Sequence, residues 1–146
     1  MKRLANIIAY LLVLPAVVCC RIGMRWWGAE RGFAGWSQAF SLLPGLPGVY
    51  LRRAFYQQVL SRCDDGVCLT FGTTIAHPAA RLGRNVYVGS FCSLGNVELQ
   101  DDVLVASHVS VMNGSRQHGI ERLDIPIREQ PGVFEPVTIG SGSWIG

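Results

Sequence analysis

Aliphatic residues recur along the second half of the chain at nearly constant intervals. Leu69, Ile75, Leu82, Val88, Leu94, Leu99, Val105 and Val111 are separated by 6, 7, 6, 6, 5, 6 and 6 residues, and the period resumes at Ile139 and Ile145. The next residue is often small, as at Ala76, Gly83, Gly89, Gly95, Ala106 and Gly140. A second small or β-branched residue recurs four positions after the aliphatic one, at Thr73, Ala79, Val86, Cys92, Val103, Val109 and Ser143. A period of six fits neither the 3.6 of an α-helix nor the alternation of a half-buried strand. Six residues make one short strand and one corner, and three such units close a triangular coil. The aliphatic residue then points into the prism, and coils stack at the strand spacing of roughly 4.8 Å. The pattern predicts an all-β fold, a left-handed parallel β-helix over residues 67–146. Its three faces are Leu69, Val88, Val105, Ile145; Ile75, Leu94, Val111; and Leu82, Leu99, Ile139.

The first third reads differently. Residues 4–20 and 33–51 carry no charge. The whole chain is 49% hydrophobic and only 16% charged, which is apolar for its size. Residues 4–20 follow Lys2 and Arg3 and are just long enough to enter a bilayer, with Pro15 tolerated there. Trp26, Trp27, Phe33, Trp36 and Phe40 suit a water–lipid boundary. Residues 1–49 are therefore expected to be membrane-associated. Two arrangements fit: a helical hairpin, or an inserted helix followed by an interfacial segment. A hydrophobic surface packed on the next domain is the plainer alternative. Arg52 and Arg53, like Lys2 and Arg3, suit cytoplasmic ends. Leu51, Phe55, Val59 and Leu60 have helical spacing, so residues 50–66 read as an amphipathic helix and linker that cap the first coil.

Composition narrows the chemistry. A net charge of +3 without a Lys/Arg-rich run gives little support for nucleic-acid binding. Five cysteines without a CxxC read as free thiols, and no metal is expected. The most informative feature is the interruption of the repeat. Val111 and Ile139 are 28 residues apart where six are due, so residues 113–136 must leave the coil as a loop. Long loops on rigid scaffolds tend to carry function. Asn113, Arg116, Gln117 and Arg128 are candidates to hydrogen-bond a sugar there.

The repeat, its interruption and the segment SRQHG…IPIREQPG…VTIGSGSWIG resemble the hexapeptide-repeat acyltransferases. Within that group the chain is most similar to O-acetyltransferases of surface-polysaccharide synthesis, the colanic-acid type among them. The resemblance covers residues 67–146. It implies acetyl-CoA as acyl donor, bound between neighbouring prisms of a homotrimer, and a glycan or glycan-lipid hydroxyl as acceptor. It implies His118 in the loop as general base, a task suited to imidazole because it titrates near neutrality. Glu121, Asp124 and Glu129 are alternatives for the carboxylate that orients it. The resemblance also implies that Gly140, Ser141, Gly142 and Trp144 approach the cofactor, with backbone N–H groups for the oxyanion and an indole wall for the pantetheine groove. With a membrane-bound front, the repeat domain is expected on the cytoplasmic side.

His108 is an outward repeat position and His77 a corner before Pro78, read as surface and structural. The same fold hosts a zinc carbonic anhydrase family. Its site takes three His from two neighbouring chains, two of them close in sequence. His77, His108 and His118, 31 and 10 apart, do not reproduce that arrangement. The chain stops at Ile145-Gly146 inside a hexapeptide, and solenoids need a protected end. An inactive truncated remnant is therefore a competing expectation, and a non-catalytic membrane-associated β-helix scaffold is another.

Overall fold

The computed structural model describes residues 2–146. Four helices come first: α1 (Lys2–Leu12), α2 (Leu14–Trp27), α3 (Ala29–Ser41) and α4 (Gly45–Val59). Eleven strands of two or three residues follow, in three parallel sheets. The first face holds β1 (Arg62–Cys63), β4 (Arg81–Leu82), β7 (Val97–Leu99) and β10 (Val137–Ile139). The second holds β2 (Cys68–Leu69), β5 (Tyr87–Val88), β8 (Leu104–Val105) and β11 (Trp144–Ile145). The third holds β3 (Thr74–Ile75), β6 (Ser93–Leu94) and β9 (Ser110–Val111).

The all-β expectation is therefore wrong: the chain is mixed α/β. The apolar front does not extend away from the coil. It folds into four helices, and α3 and α4 share one core with the strands. Phe33, Phe40, Phe55 and Tyr56 are buried together with Leu69, Ile75 and Leu82. Phe40 stacks on Phe55 at 4.2 Å between centroids. Among the described residues no single helix is long and apolar enough to cross a membrane. Helices α1 and α2 together have the length and composition, but they meet at 47° across Val13. The helix expected from residue 50 begins at Gly45, and the first strand begins at Arg62 rather than near residue 67.

The repeat residues enter the sheets in a strict register. Leu69 pairs with Val88, Val88 with Val105 and Val105 with Ile145. Ile75, Leu94 and Val111 form the second column. Cys63, Leu82, Leu99 and Ile139 form the third. Glycine after the aliphatic residue has a steric cause. A Cβ on Gly89 would lie 2.4 Å from the Ser107 nitrogen, in the backbone of the next coil. Side chains do not fit where coils approach that closely.

The base of the coil is an open sheet edge that needs hydrogen-bond partners. Helix α4 supplies them. Arg52 is fully buried; its Nε donates to the Leu69 carbonyl at 2.9 Å, and one terminal nitrogen donates to Leu43, Phe40 and Ser41 at 2.6, 3.1 and 3.3 Å. Arg53 donates to the Val67 carbonyl. Burial pushes the Arg52 pKa below the usual arginine range. Arg52 is thus an internal brace and not a membrane flank. Ser37 of α3 adds a second tie: its hydroxyl accepts from the Ile75 amide at 3.0 Å and bonds the Tyr56 hydroxyl at 2.9 Å.

Candidate functional site

The inserted loop is organised from both ends. It leaves the third face after Val111 and returns at Val137, whose amide donates to the Asn96 carbonyl at 2.9 Å. Its two limbs run side by side. Gly114 N–H donates to the Glu135 carbonyl and Val133 N–H to the Arg116 carbonyl, at 3.2 and 2.8 Å. An Arg116–Glu135 ion pair closes the same contact. At the tip, Gln130 is buried: its amide nitrogen donates to the Arg122 and Ile125 carbonyls, and its oxygen accepts from the Arg122 amide. The limbs and tip enclose an open cavity of about 380 Å³.

His118 lines this cavity together with Arg116, Glu121 and Arg122. It is exposed, and among the described residues its side chain makes no hydrogen bond. Of the three carboxylates considered as its orienter, Asp124 is bound by Arg122, whose guanidinium holds that carboxyl below the usual range. Glu129 lies 3.5 Å from Arg128. Glu121 is the one of the three that shares the cavity with His118.

The expected sugar-binding residues are dispersed. Asn113 is buried in a corner, where its side-chain oxygen accepts from the Asn96 amide at 2.6 Å. That bond fixes the turn between β6 and β7, so Asn113 faces the coil and not an acceptor. Gln117 and Arg128 do not line the cavity, whereas Arg116 does.

The expected cofactor residues occupy the coil after the loop. A Cβ on Gly140 would meet only the Ser143 hydroxyl at 4.0 Å, and one on Gly142, at φ +69°, would meet nothing. Trp144 is 73% exposed beside Leu104. This surface is open to solvent, with the Trp144 ring exposed on it. Two of the expected oxyanion donors are already engaged. Ser141 N–H donates to the Gln100 side-chain oxygen, and Gly142 N–H to the Asp101 carbonyl, at 3.1 and 3.0 Å.

The other two histidines have definite settings. His108 turns a corner at φ +62°, and its ring stacks on Phe91 at 5.4 Å. His77 is the histidine that a carboxylate holds: its Nδ1 lies 2.7 Å from a Glu30 carboxylate oxygen. This pair joins the start of α3 to the corner after β3. The two residues are 47 positions apart, beyond the reach of any local motif. Among the described residues no group of three or more His, Cys, Asp or Glu side chains is arranged to hold a metal ion. Comparisons with known families, with curated proteins and with solved structures find no match.

Proposed function

We propose that this protein is an acetyl-CoA-dependent O-acyltransferase that acts on a sugar hydroxyl in surface-polysaccharide or glycan-lipid synthesis. The observation that supports it most is the His118 cavity, built inside a loop that a rigid parallel coil presents. In the reaction, His118 takes the proton of the acceptor hydroxyl as its oxygen attacks the thioester carbonyl. The tetrahedral intermediate collapses with release of CoA as thiolate, which recovers the proton from the imidazolium. A positioned base contributes about 10²–10⁴ in rate. Glu121, which shares the cavity, is the carboxylate available to orient the imidazole when the acceptor binds, and the open surface of Gly140, Gly142 and Trp144 receives the pantetheine arm.

Assembly and location follow from the same reading. Tyr87, Leu104 and Trp144 form an exposed apolar strip on the second face, which supports a homotrimer with the donor between neighbouring coils. Leu4, Ile7, Leu11, Leu12, Val18 and Ile22 are exposed on α1 and α2, which supports attachment to a membrane through this surface. A CoA donor assigns the coil to the cytoplasmic side.

One observation favours a non-catalytic scaffold instead: Leu123, at the loop tip, is fully exposed, as a docking residue would be. Thiol release from acetyl-CoA with an oligosaccharide acceptor separates the two readings. The acyltransferase reading expects His118→Ala to lower turnover by about 10²-fold or more. Turnover equal to that of the parent protein would refute it.

A further inference from the structure

A second polar cleft, of about 410 Å³, lies between α3 and the third face of the coil. This volume falls in the range of ~300–1,000 Å³ typical of small-ligand sites. Its walls are Glu30, Arg31 and Gln38 from α3, and Thr74, His77 and Ser93 from the coil. Thr74 and Ser93 are register partners, so their hydroxyls stand one strand spacing apart on the same outward column.

The polar groups here are open to solvent or half-buried. Among the described residues, the side chains of Arg31, Gln38, Thr74 and Ser93 make no hydrogen bond or ion pair within the protein. The His77 side chain is only 12% exposed, and its Nδ1 lies 2.7 Å from a Glu30 carboxylate oxygen. The cleft thus offers one guanidinium suited to bidentate recognition of an oxyanion, two hydroxyls, one amide and one imidazole.

One loop residue reaches the rim of this cleft at His77. Val133 lines the His118 cavity, and the ring of the next residue, Phe134, lies 6.1 Å from the His77 ring. The return limb of the loop therefore passes beside His77.

We propose that this cleft is a subsite for a phosphorylated sugar, its phosphate on Arg31 and its hydroxyls on Thr74, Ser93, Gln38 and His77. Naming that sugar as the acceptor rests on the acyltransferase reading; the binding itself does not. The phosphate belongs either to a soluble sugar phosphate or to a lipid-linked one.

Calorimetric titration of the full chain in detergent, without acyl donor, tests the subsite. The probes are glucose 1-phosphate, decyl-phosphoglucose, glucose and inorganic phosphate. Both phosphoglucoses are expected to bind more tightly than glucose or phosphate alone and to shift the His77 ring proton resonances. Arg31→Gln should weaken them by about tenfold or more, the scale of one charge-assisted hydrogen bond. Arg31 is exposed and makes no hydrogen bond or ion pair that folding would miss. A markedly tighter decyl-phosphoglucose assigns the subsite to lipid-linked sugars, and equal affinity assigns it to soluble ones. His77→Gln identifies the resonance; His108→Gln and His118→Gln do so by elimination if that variant does not fold. Absence of phosphoglucose binding overturns the proposal, as does binding that Arg31→Gln leaves unchanged. Loss of acyl transfer with binding retained would count against the acyltransferase reading alone.

Discussion

Replacing Arg52 with methionine keeps most of the side-chain volume and removes its donors. Four carbonyls lose a partner, but not equally. Ser41 still accepts from the Gly72 amide at 2.8 Å, and Phe40 from the Leu43 amide at 3.3 Å. The carbonyls of Leu69 and Leu43 have no such substitute, and a buried unsatisfied carbonyl costs about 1–3 kcal/mol. The gross penalty is therefore about 2–6 kcal/mol. Against it stands the relief of a buried cation with no carboxylate partner, an effect of a few kcal/mol in other proteins. The guanidinium also faces the C-terminal carbonyls of α3, where a cation gains up to ~2 kcal/mol. The expected net loss is about 2–4 kcal/mol, a large part of the ~5–15 kcal/mol of an ordinary domain. Urea unfolding in detergent, followed by tryptophan fluorescence, measures it. Arg52→Lys should recover only part, because one ammonium cannot serve both Leu69 and Leu43. A loss below about 1 kcal/mol for the methionine variant would refute the view that Arg52 braces the helices to the coil.

Other outcomes follow from single contacts. Gly89→Ala drives a Cβ into the backbone of the next coil and should cost about 1–3 kcal/mol or more, whereas Gly140→Ala meets open space and should change stability by less than about 0.5 kcal/mol; thermal unfolding of the pair compares them. Asn113→Ala strands the Asn96 amide, so it should lower stability by about 1–3 kcal/mol while leaving the acceptor KM unchanged, as unfolding and steady-state kinetics together would show. Burial pushes the Tyr56 hydroxyl and the Cys63 thiol each up to about 12. Both are neutral when protonated and raised relative to the unfolded chain, so their stabilisation is complete below pH ~9 and is lost as pH rises toward 12. Unfolding free energy measured from pH 8 to 11 should fall, and Tyr56→Phe should flatten part of the slope.

The coil was legible because its signal is local and repeated. Each hexapeptide carries its own aliphatic residue and its own small one, and stacking only adds copies. The start of the third column escaped notice because Cys63 takes the inward place without being aliphatic. The helices were misread because burial by protein and burial by lipid select the same residues. Phe33 and Phe40, seven apart, suit a bilayer boundary as well as they suit Phe55 and Tyr56. Arg52 resembled a membrane flank for the same reason, since nothing local distinguishes a charge facing water from one bonded to four carbonyls. His118 could be found in the sequence because the interruption of the period points to it. The Glu30–His77 pair could not, because it depends on how α3 docks on the coil. Asn113 opens the loop in sequence, yet its side chain turns back to the corner, and only the Asn96 amide reveals that role.

The way the loop is seated has an evolutionary consequence. Its two ends are pinned by the register of the coil, with Val111 beside Leu94 and Val137 beside Val97. The chain between them has no part in setting that register. The entropic cost of a longer excursion grows only with the logarithm of its length, about 0.6 kcal/mol per doubling. The coil therefore works as a fixed socket for an exchangeable cartridge. Lineages can lengthen, shorten or recompose residues 114–136, and with them the chemistry offered to a ligand, while every aliphatic column stays in step.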